Sequence, residues 1–204
     1  MRFFACLLAL TLSFSALPVS GQEPARPKDS KEQAQPPQPP QARPRASTLD
    51  ELFERLGKAQ TEREAEGISS LIERRFARSG SDTADLLLNR AAEAFGKKDF
   101  PLAIELIDRV LALQPNWAEA WYKRATVFYQ LDDPVGAMAD LHRAIKIEPR
   151  HFNAWTGLGH ILMASDDKAR ALEAYRRVLT INPQMSDVKT IVNRLGPEVD
   201  GQDL

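Results

Sequence analysis

Residues 117–149 read WAEAWYKRATVFYQLDDPVGAMADLHRAIKIEP, and residues 151–183 read HFNAWTGLGHILMASDDKARALEAYRRVLTINP. Written one above the other with an offset of 34 residues, the two stretches align their tryptophan, alanine, aspartate and proline positions. Pro115 precedes Pro149 by the same interval that separates Pro149 from Pro183. A period of this length predicts a stack of helix pairs rather than a chain folded around one catalytic pocket.

Each unit reads as an amphipathic helix, an acidic turn and a second amphipathic helix that stops near the proline. Asp99, Asp133 and Asp167 stand where the second helices begin, and an aspartate there can accept hydrogen bonds from the free N–H groups of the first turn. Pro101 and Pro134 fall in that first turn, where a missing N–H costs nothing. We therefore interpret these aspartates as helix caps rather than as metal ligands or acid–base catalysts.

The units resemble the tetratricopeptide repeat, whose pattern places Trp, Leu-Gly, Tyr, Ala, Phe and Pro at fixed offsets. In the third unit these positions hold Trp155, Leu158, Gly159, Leu162, Ala171, Tyr175 and Pro183. The second and first units match in register, the first more loosely. The resemblance implies an all-α, right-handed helical solenoid of stacked antiparallel helix pairs, with repeats at 84–117, 118–151 and 152–185.

The segments on either side of the three repeats predict further helices. Counting back one period makes 48–83 a degenerate N-terminal helix pair of the same type, and an unrelated helical cap is the alternative. After the last repeat, Ser186 can cap a helix over 186–196 that covers the stack. Gly196 and Pro197 should end that helix, which leaves 197–204 as a flexible tail.

The start of the chain predicts export. Arg2 and the apolar run 3–17 are typical of a secretory signal peptide, which we place at 1–21. Residues 22–47 are rich in proline and glutamine and predict a disordered linker. We expect an exported, periplasmic protein with no membrane span after cleavage, and an uncleaved membrane anchor is the alternative. The only cysteine, Cys6, lies in the apolar run, so the mature chain would need no disulfide.

Charge and motifs argue against nucleic acid and against catalysis. The 27 basic and 28 acidic residues give a net charge of -1, which offers no electrostatic attraction to nucleic acid or to an anionic membrane. His142, His151 and His160 are nine residues apart and do not form the i, i+4 pair of a helical metal site. No nucleophile elbow, phosphate loop or Cys–His pair is present. We expect no enzyme activity, no catalytic residue, no metal and no cofactor.

The family resemblance also implies where a ligand would bind. In tetratricopeptide proteins, positions 2, 5, 9, 12 and 13 of each first helix commonly face a concave groove. In this chain the predicted groove residues are Asp85, Leu88, Phe95, Glu119, Tyr122, Thr126, Tyr129, Gln130, Asn153, Thr156, His160 and Met163, with the small Ala92, Gly96 and Ala164 between them. The aromatic members suit apolar anchors, and the polar members suit a peptide backbone. Asp85 and Glu119 would make the groove faintly acidic, and the Lys and Asn set that holds chaperone-tail carboxylates is not matched.

The chain resembles small periplasmic tetratricopeptide proteins of Gram-negative bacteria over roughly residues 48–196. This resemblance implies a non-enzymatic adaptor or scaffold in the cell envelope that binds a protein or peptide partner in the groove. Self-association through the exposed end faces of the stack is a further expectation. The rival hypotheses are a membrane-anchored scaffold and an accessory subunit that regulates a cell-wall-modifying enzyme.

Overall fold

The computed structural model describes residues 48–201, and this part of the chain forms nine α-helices and no β-strand. The helices are α1 (Leu49–Lys58), α2 (Glu62–Phe76), α3 (Asp82–Gly96), α4 (Phe100–Leu113), α5 (Ala118–Gln130), α6 (Pro134–Ile147), α7 (Phe152–Ala164), α8 (Lys168–Ile181) and α9 (Ser186–Asp200). The predicted signal peptide (1–21) and linker (22–47) lie outside the described residues.

Helices α3 to α8 form three stacked pairs, which we call the array. Within the pairs α3 packs on α4, α5 on α6 and α7 on α8; between the pairs α4 packs on α5 and α6 on α7. Helix α9 packs on α8 at the end of the stack. The predicted all-helical repeat solenoid is confirmed over these elements.

The three turns inside the pairs have one shared geometry. Lys98, Asp132 and Asp166 have φ values of 61°, 59° and 58°, so each turn places one residue in the left-handed region. The aspartate that follows each of them accepts an N–H from the first turn of the second helix. The predicted capping role of the three aspartates is therefore confirmed.

The helix crossing in the third pair shows why its small residue is a glycine. A Cβ added to Gly159 would lie 2.7 Å from the ring of Tyr175, whose side chain is 1% exposed. The equivalent positions one repeat earlier hold Ala125 and Leu141. The larger partner on the second helix is thus matched by a smaller residue on the first, which conserves the volume of the crossing.

Helices α1 and α2 form a separate pair, which we call the hairpin, and its position corrects the expectation of a fourth stacked repeat. The hairpin does not continue the series in which α4 packs on α5 and α6 on α7; α1 packs instead against α8. Helix α2 passes the junctions between repeats in the reverse of their chain order. Four hydrogen bonds mark this path: Gln184 Nε2 to Ala59 O (3.0 Å), Asn182 Nδ2 to Ser69 Oγ (3.3 Å), Asn153 Nδ2 to Glu73 Oε1 (3.0 Å) and Trp117 Nε1 to Phe76 O (2.7 Å).

The side of α3 that faces away from the rest of the array explains why the hairpin does not stack on α3. Exposed Arg90 and Glu93 lie on α3, whereas the positions one and two periods after Glu93 hold Val127 and Ile161, each 2% exposed. On this side α3 therefore holds two charged residues, and its exposed apolar side chain there is Leu86. The apolar side of the hairpin is buried instead along the repeat junctions, where Ile72 is fully buried.

Helix α9 is longer than the sequence predicts. It runs to Asp200, with Pro197 inside it, so the predicted end near residue 196 and the predicted flexible tail from 197 are wrong for residues 197–200. Ion pairs of Glu198 with Lys168 and of Asp200 with Arg176 hold the last turn on α8. Ser186 does not cap the helix either, because it is the first helical residue.

Candidate functional site

A groove with a volume of about 750 Å³ lies between the hairpin and the first helices of the array, and we call it the hairpin groove. Its principal lining residues are Ser70, Glu73 and Arg74 of α2, Leu88, Asn89, Ala92 and Phe95 of α3, Glu119, Tyr122, Lys123 and Thr126 of α5, and Asn153 of α7. Because α2 supplies one wall, the groove is a composite of the hairpin and the array.

The structure brings together half of the twelve predicted groove residues. Six of them line the hairpin groove: Leu88, Phe95, Glu119, Tyr122, Thr126 and Asn153. Tyr129 and His160 line a smaller pocket of about 160 Å³ between α5 and α7, which Tyr122 and Thr126 also reach. The remaining four, Asp85, Gln130, Thr156 and Met163, line neither of these pockets.

The floor of the hairpin groove is apolar and ordered by packing. Leu88 is 7% exposed, and the Phe95 ring packs against Phe100 with a centroid distance of 5.6 Å. Burial raises the pKa of Tyr122 above its usual range, so its hydroxyl stays neutral at physiological pH. Thr126 donates its hydroxyl to the Tyr122 carbonyl at 3.0 Å, as side chains of this type do inside helices. The floor therefore suits apolar side chains of a ligand.

Glu119 is engaged inside the protein and does not present a free charge to the groove. It is 7% exposed, lies 3.1 Å from His151 Nε2 and pairs with Lys123 Nζ at 3.2 Å. Burial raises the pKa of Glu119, but the hydrogen bond from His151 and the charge of Lys123 outweigh burial, and the pKa is lowered overall. The Nδ1 atom of His151 accepts the N–H of Ala154, which leaves Nε2 to donate to Glu119.

Asp85 is hydrogen-bonded to the turn before α3 and does not line the hairpin groove. The lining has two acids, Glu73 and Glu119, and two bases, Arg74 and Lys123, which corrects the expectation of a faintly acidic groove. The Oδ1 atom of Asp85 accepts the N–H of Ser79 at 2.8 Å and the Ser79 hydroxyl at 2.6 Å. These bonds fix the turn between α2 and α3, where Gly80 has a φ of 85°. Both carboxylates that the sequence placed in the groove thus serve the internal structure.

His151 joins the hairpin to the groove. Its fully buried ring stacks on Phe76 of α2 at 4.6 Å and contacts Tyr122 of α5 at 5.0 Å. His151 is therefore a packing residue at the repeat junction. Because one ring touches both helices, movement of α2 would disturb the wall and the floor together.

Sequence reasoning missed the contribution of α2 to the site. Ser70, Glu73 and Arg74 lie outside the three clear repeats, and the family pattern gives no groove position for a hairpin placed across the junctions. The available signal was Glu93, a charged residue of α3 at the position where the next two repeats hold Val127 and Ile161.

The described residues add two negative observations. Between residues 48 and 201, no group of three or more His, Cys, Asp or Glu side chains is arranged to hold a metal ion. Over the same range, no helix combines the length and the apolar character that a membrane crossing requires.

The stacked pairs, their repeated turns and the cleft along their first helices define a helical-repeat scaffold with a groove. The repeats are tetratricopeptide repeats, since two sequence models of that description match residues 90–156 and 128–195. A TPR repeat-containing protein of Rhizobium etli is 33% identical over 93 residues, an alignment that covers 46% of each chain. The chain thus spans about half the length of this curated relative.

Solved structures with similar folds include one domain bound to an HSP90 peptide and one in complex with pHsp70. The first TPR of Spaghetti (RPAP3), bound to the HSP90 peptide SRMEEVD, has a TM-score of 0.55 and 18% identity and covers 59% of this chain and 95% of its own. The TPR2B domain of yeast Sti1 in complex with pHsp70 has a TM-score of 0.53 and 21% identity and covers 58% and 99%. The Sgt2 TPR domain of Aspergillus fumigatus has a TM-score of 0.54 and 21% identity and covers 60% and 83%. At these identities the likeness establishes the fold.

Proposed function

We propose that this protein is a non-enzymatic adaptor that binds a peptide segment of a partner protein in the hairpin groove. The observation that carries the proposal is the groove itself, about 750 Å³ with an apolar floor and polar side chains around it. Binding sites commonly have volumes of about 300–1,000 Å³ and this mixture of surfaces. The HSP90 peptide bound to the RPAP3 domain supports the same use of the fold.

The lining suits a peptide better than a small metabolite. Leu88 and Phe95 give the floor apolar and aromatic surface for an anchoring side chain. Asn89 and Asn153 carry amide groups that can both donate to and accept from a peptide backbone.

The binding proposal is tested by filling the groove. Ala92 is an exposed lining residue on α3, and Ala92→Trp would block the floor without disturbing a buried contact. Exposed Ala112 on α4 lies outside the lining set, so Ala112→Trp is the matched control. In a crosslinking capture experiment, we expect partners of the wild-type chain and of Ala112→Trp to be lost with Ala92→Trp. Equal capture by all three proteins would contradict the proposal.

We further propose that the protein acts in the cell envelope after export. The support is the apolar run at residues 3–17 behind Arg2, a pattern typical of a signal peptide. Mass spectrometry of the mature N-terminus should find a start near residue 22, and osmotic shock should release the protein. An intact Met1 together with carbonate-resistant membrane association would support the anchored scaffold instead.

A further inference from the structure

The turns inside the three pairs of the array lie along one edge, which we call the turn edge. Consecutive helices of the array are joined by short segments and run in opposite directions. The first turn (97–99), the second (131–133) and the third (165–167) therefore fall at the same end of their helices. Because α4 packs on α5, the first and second turns are neighbours. None of these turn residues lines the hairpin groove, so the turn edge is a separate surface.

Three large apolar side chains are exposed at the first two turns. Leu102 is 41% exposed, Leu131 is 45% exposed and Val135 is 72% exposed. The fold does not require the last two, because the third repeat holds Ser165 and Ala169 at the same positions. A group of apolar side chains that a protein leaves in water on one surface is typical of an interaction site.

The same two turns carry opposite charges that the protein does not pair. Lys97 and Lys98 of the first turn and Asp132 of the second are exposed, and they form no ion pair within residues 48–201. The second turn has no cation of its own, since no Lys or Arg occurs between Arg124 and Arg143. A basic site and an acidic site thus lie side by side, with apolar side chains next to both.

The other acids near these turns do not change this pattern. Asp99 and Asp133 cap α4 and α6, each by accepting a backbone N–H of the helix that it begins. Glu93 lies one helical turn before Lys97, on the side of α3 that faces away from the rest of the array. With the caps included, the first turn has two bases and one acid, and the second has two acids and no base.

The third turn differs, because its charges are matched inside the protein. Asp167 pairs with Arg170. Lys168 pairs with Glu198 of α9 and lies 4.0 Å from Asp166. The exposed apolar side chains and the unpaired charges of the turn edge therefore occur together, on the same two turns.

We propose that these two turns form the interface of a symmetric dimer, in which the first turn of one copy contacts the second turn of the other. A two-fold axis between the turns brings Lys97 and Lys98 opposite Asp132 of the second copy, and the same contact is repeated across the axis. The three exposed apolar side chains of each copy meet near the axis and are removed from water. The apolar contacts supply affinity, and the opposite charges fix the orientation.

A second copy is the partner that this surface fits, because the surface is its own complement. An unrelated partner would need the same acidic and basic sites around an apolar centre, whereas a second copy carries them in the required order. The symmetry also closes the assembly at two copies, since each copy uses the whole surface once. Two turns give a small interface, so we expect a weak dimer that forms with increasing concentration.

The dimer does not depend on what the hairpin groove binds. Its consequence for an adaptor, which rests on the proposed function, is that one particle would carry two grooves. Two linked grooves can hold a partner with two binding segments more tightly than one groove can.

The test is sedimentation velocity of the full-length protein, as it is recovered from cells, over a range of concentrations. Lys97→Glu/Lys98→Glu and Asp132→Lys should each weaken self-association by about tenfold or more, because each brings like charges together at both contacts. A mixture of these two variants should form a heterodimer, since both of its contacts then join opposite charges. One chain with all three substitutions should dimerise with itself for the same reason.

The third turn supplies a matched control. Asp166 has a φ of 58° and Asp132 has a φ of 59°, and Asp166→Lys makes the same change of charge outside the proposed interface. Asp166→Lys should dimerise as the wild type does. Val135→Ser, which leaves the charges unchanged, should weaken the dimer by about tenfold through lost apolar burial. Circular dichroism checks that each variant remains folded.

Several results would overturn the proposal. A wild type that stays monomeric at every concentration would do so, and so would a dimer that both charge variants leave intact. A mixture of the two variants that fails to associate would contradict the two-fold arrangement, as would wild-type assemblies that grow beyond two copies. None of these results bears on peptide binding in the hairpin groove, which Ala92→Trp tests separately.

Discussion

The array and the hairpin are both helix pairs with buried apolar faces, but different kinds of contacts hold them. In the array, each helix packs on its neighbours in the chain, as α3 does on α4 and α4 on α5. The hairpin is held by contacts between residues far apart in sequence, such as Ser69 with Asn182 and Phe76 with Trp117. The array is thus assembled from local units, whereas the hairpin needs the finished row of repeat junctions as its docking surface.

This difference places the two regions at different levels of stability. Local helix pairs can form and stack in steps, with stability that is roughly a sum of repeat and interface terms. The hairpin is connected to α3 through the short segment 77–81 and contacts the array through residues far apart in sequence. We therefore expect it to open at a lower free energy than the array.

The largest change in the stability of the hairpin relative to the array should come from removing the aromatic ring of Phe76. Phe76 packs between Phe53, at 6.0 Å, and His151, at 4.6 Å. Phe76→Ala should make docking of the hairpin on the array less favourable by about 3 kcal/mol, because it leaves a cavity at a buried aromatic contact. Hydrogen exchange should then accelerate in α1 and α2 and change little in α7 and α8. Leu71→Ala, at a 37% exposed site on the same helix, is the control and should leave the exchange near wild type.

A smaller effect is expected at the tightest crossing of the array. Gly159→Ala forces a methyl group against Tyr175 and should lower the free energy of unfolding by about 2 kcal/mol in urea titration. Adding Tyr175→Leu recreates the Ala125 and Leu141 combination of the preceding repeat and should restore part of the loss. A double variant no more stable than Gly159→Ala would show that the two positions are not coupled.

The turn between α5 and α6 offers a pair of adjacent acids with opposite expected effects. Asp133 accepts the N–H of Gly136 at 2.9 Å, so Asp133→Ala should lower the free energy of unfolding by about 1 kcal/mol. Asp132 has a φ of 59°, a conformation that glycine adopts without strain. Asp132→Gly should therefore raise the free energy of unfolding by about 0.5 kcal/mol. Thermal unfolding of both variants checks the signs, and two changes of the same sign would refute the assignment.

An effect as small as that of Asp132→Gly should appear in the hairpin, with the opposite sign to that of Gly159→Ala. Nothing lies within 4 Å of a Cβ added at Gly67, which is exposed in the middle of α2. Gly67→Ala should therefore stabilise α2 by about 0.5 kcal/mol through helix propensity. Slower hydrogen exchange confined to the hairpin would show it. Faster exchange there would mean that this side of α2 is packed after all.

The same comparison explains how far the sequence could predict the fold. The array was predictable because helix caps, turns and crossings are local features that recur with the period, as Asp99, Asp133 and Asp167 do. The helical state of 48–83 was predictable for the same reason. Its docking position was not, because the partners of Phe76 and Ser69 lie at repeat junctions and leave no periodic mark in the sequence. Proline and glycine were also misleading at the end of α9, where contacts with α8 extend the helix to Asp200.

The residues of the candidate site also fall into those that the sequence could predict and those that it could not. Leu88, Phe95, Tyr122 and Thr126 could be found because they occupy fixed positions of the first helices. The sequence could not show that Glu119 would be engaged by His151, because that bond spans a repeat junction. Nor could it place Arg74 in the groove, since the wall it belongs to depends on the docking of the hairpin.

The docking of the hairpin across the repeat junctions can be tested directly with one engineered disulfide. Asn182 Nδ2 and Ser69 Oγ lie 3.3 Å apart across 113 residues of sequence. In a Cys6→Ser background, the Ser69→Cys/Asn182→Cys variant should form an intramolecular disulfide on mild oxidation, seen as faster migration on a non-reducing gel and as a linked peptide by mass spectrometry. The Ser70→Cys/Asn182→Cys variant, whose first site lines the groove instead, should remain largely reduced. If residues 69 and 182 fail to crosslink, or crosslink no better than the control pair, the hairpin does not occupy this position and the groove it walls does not exist.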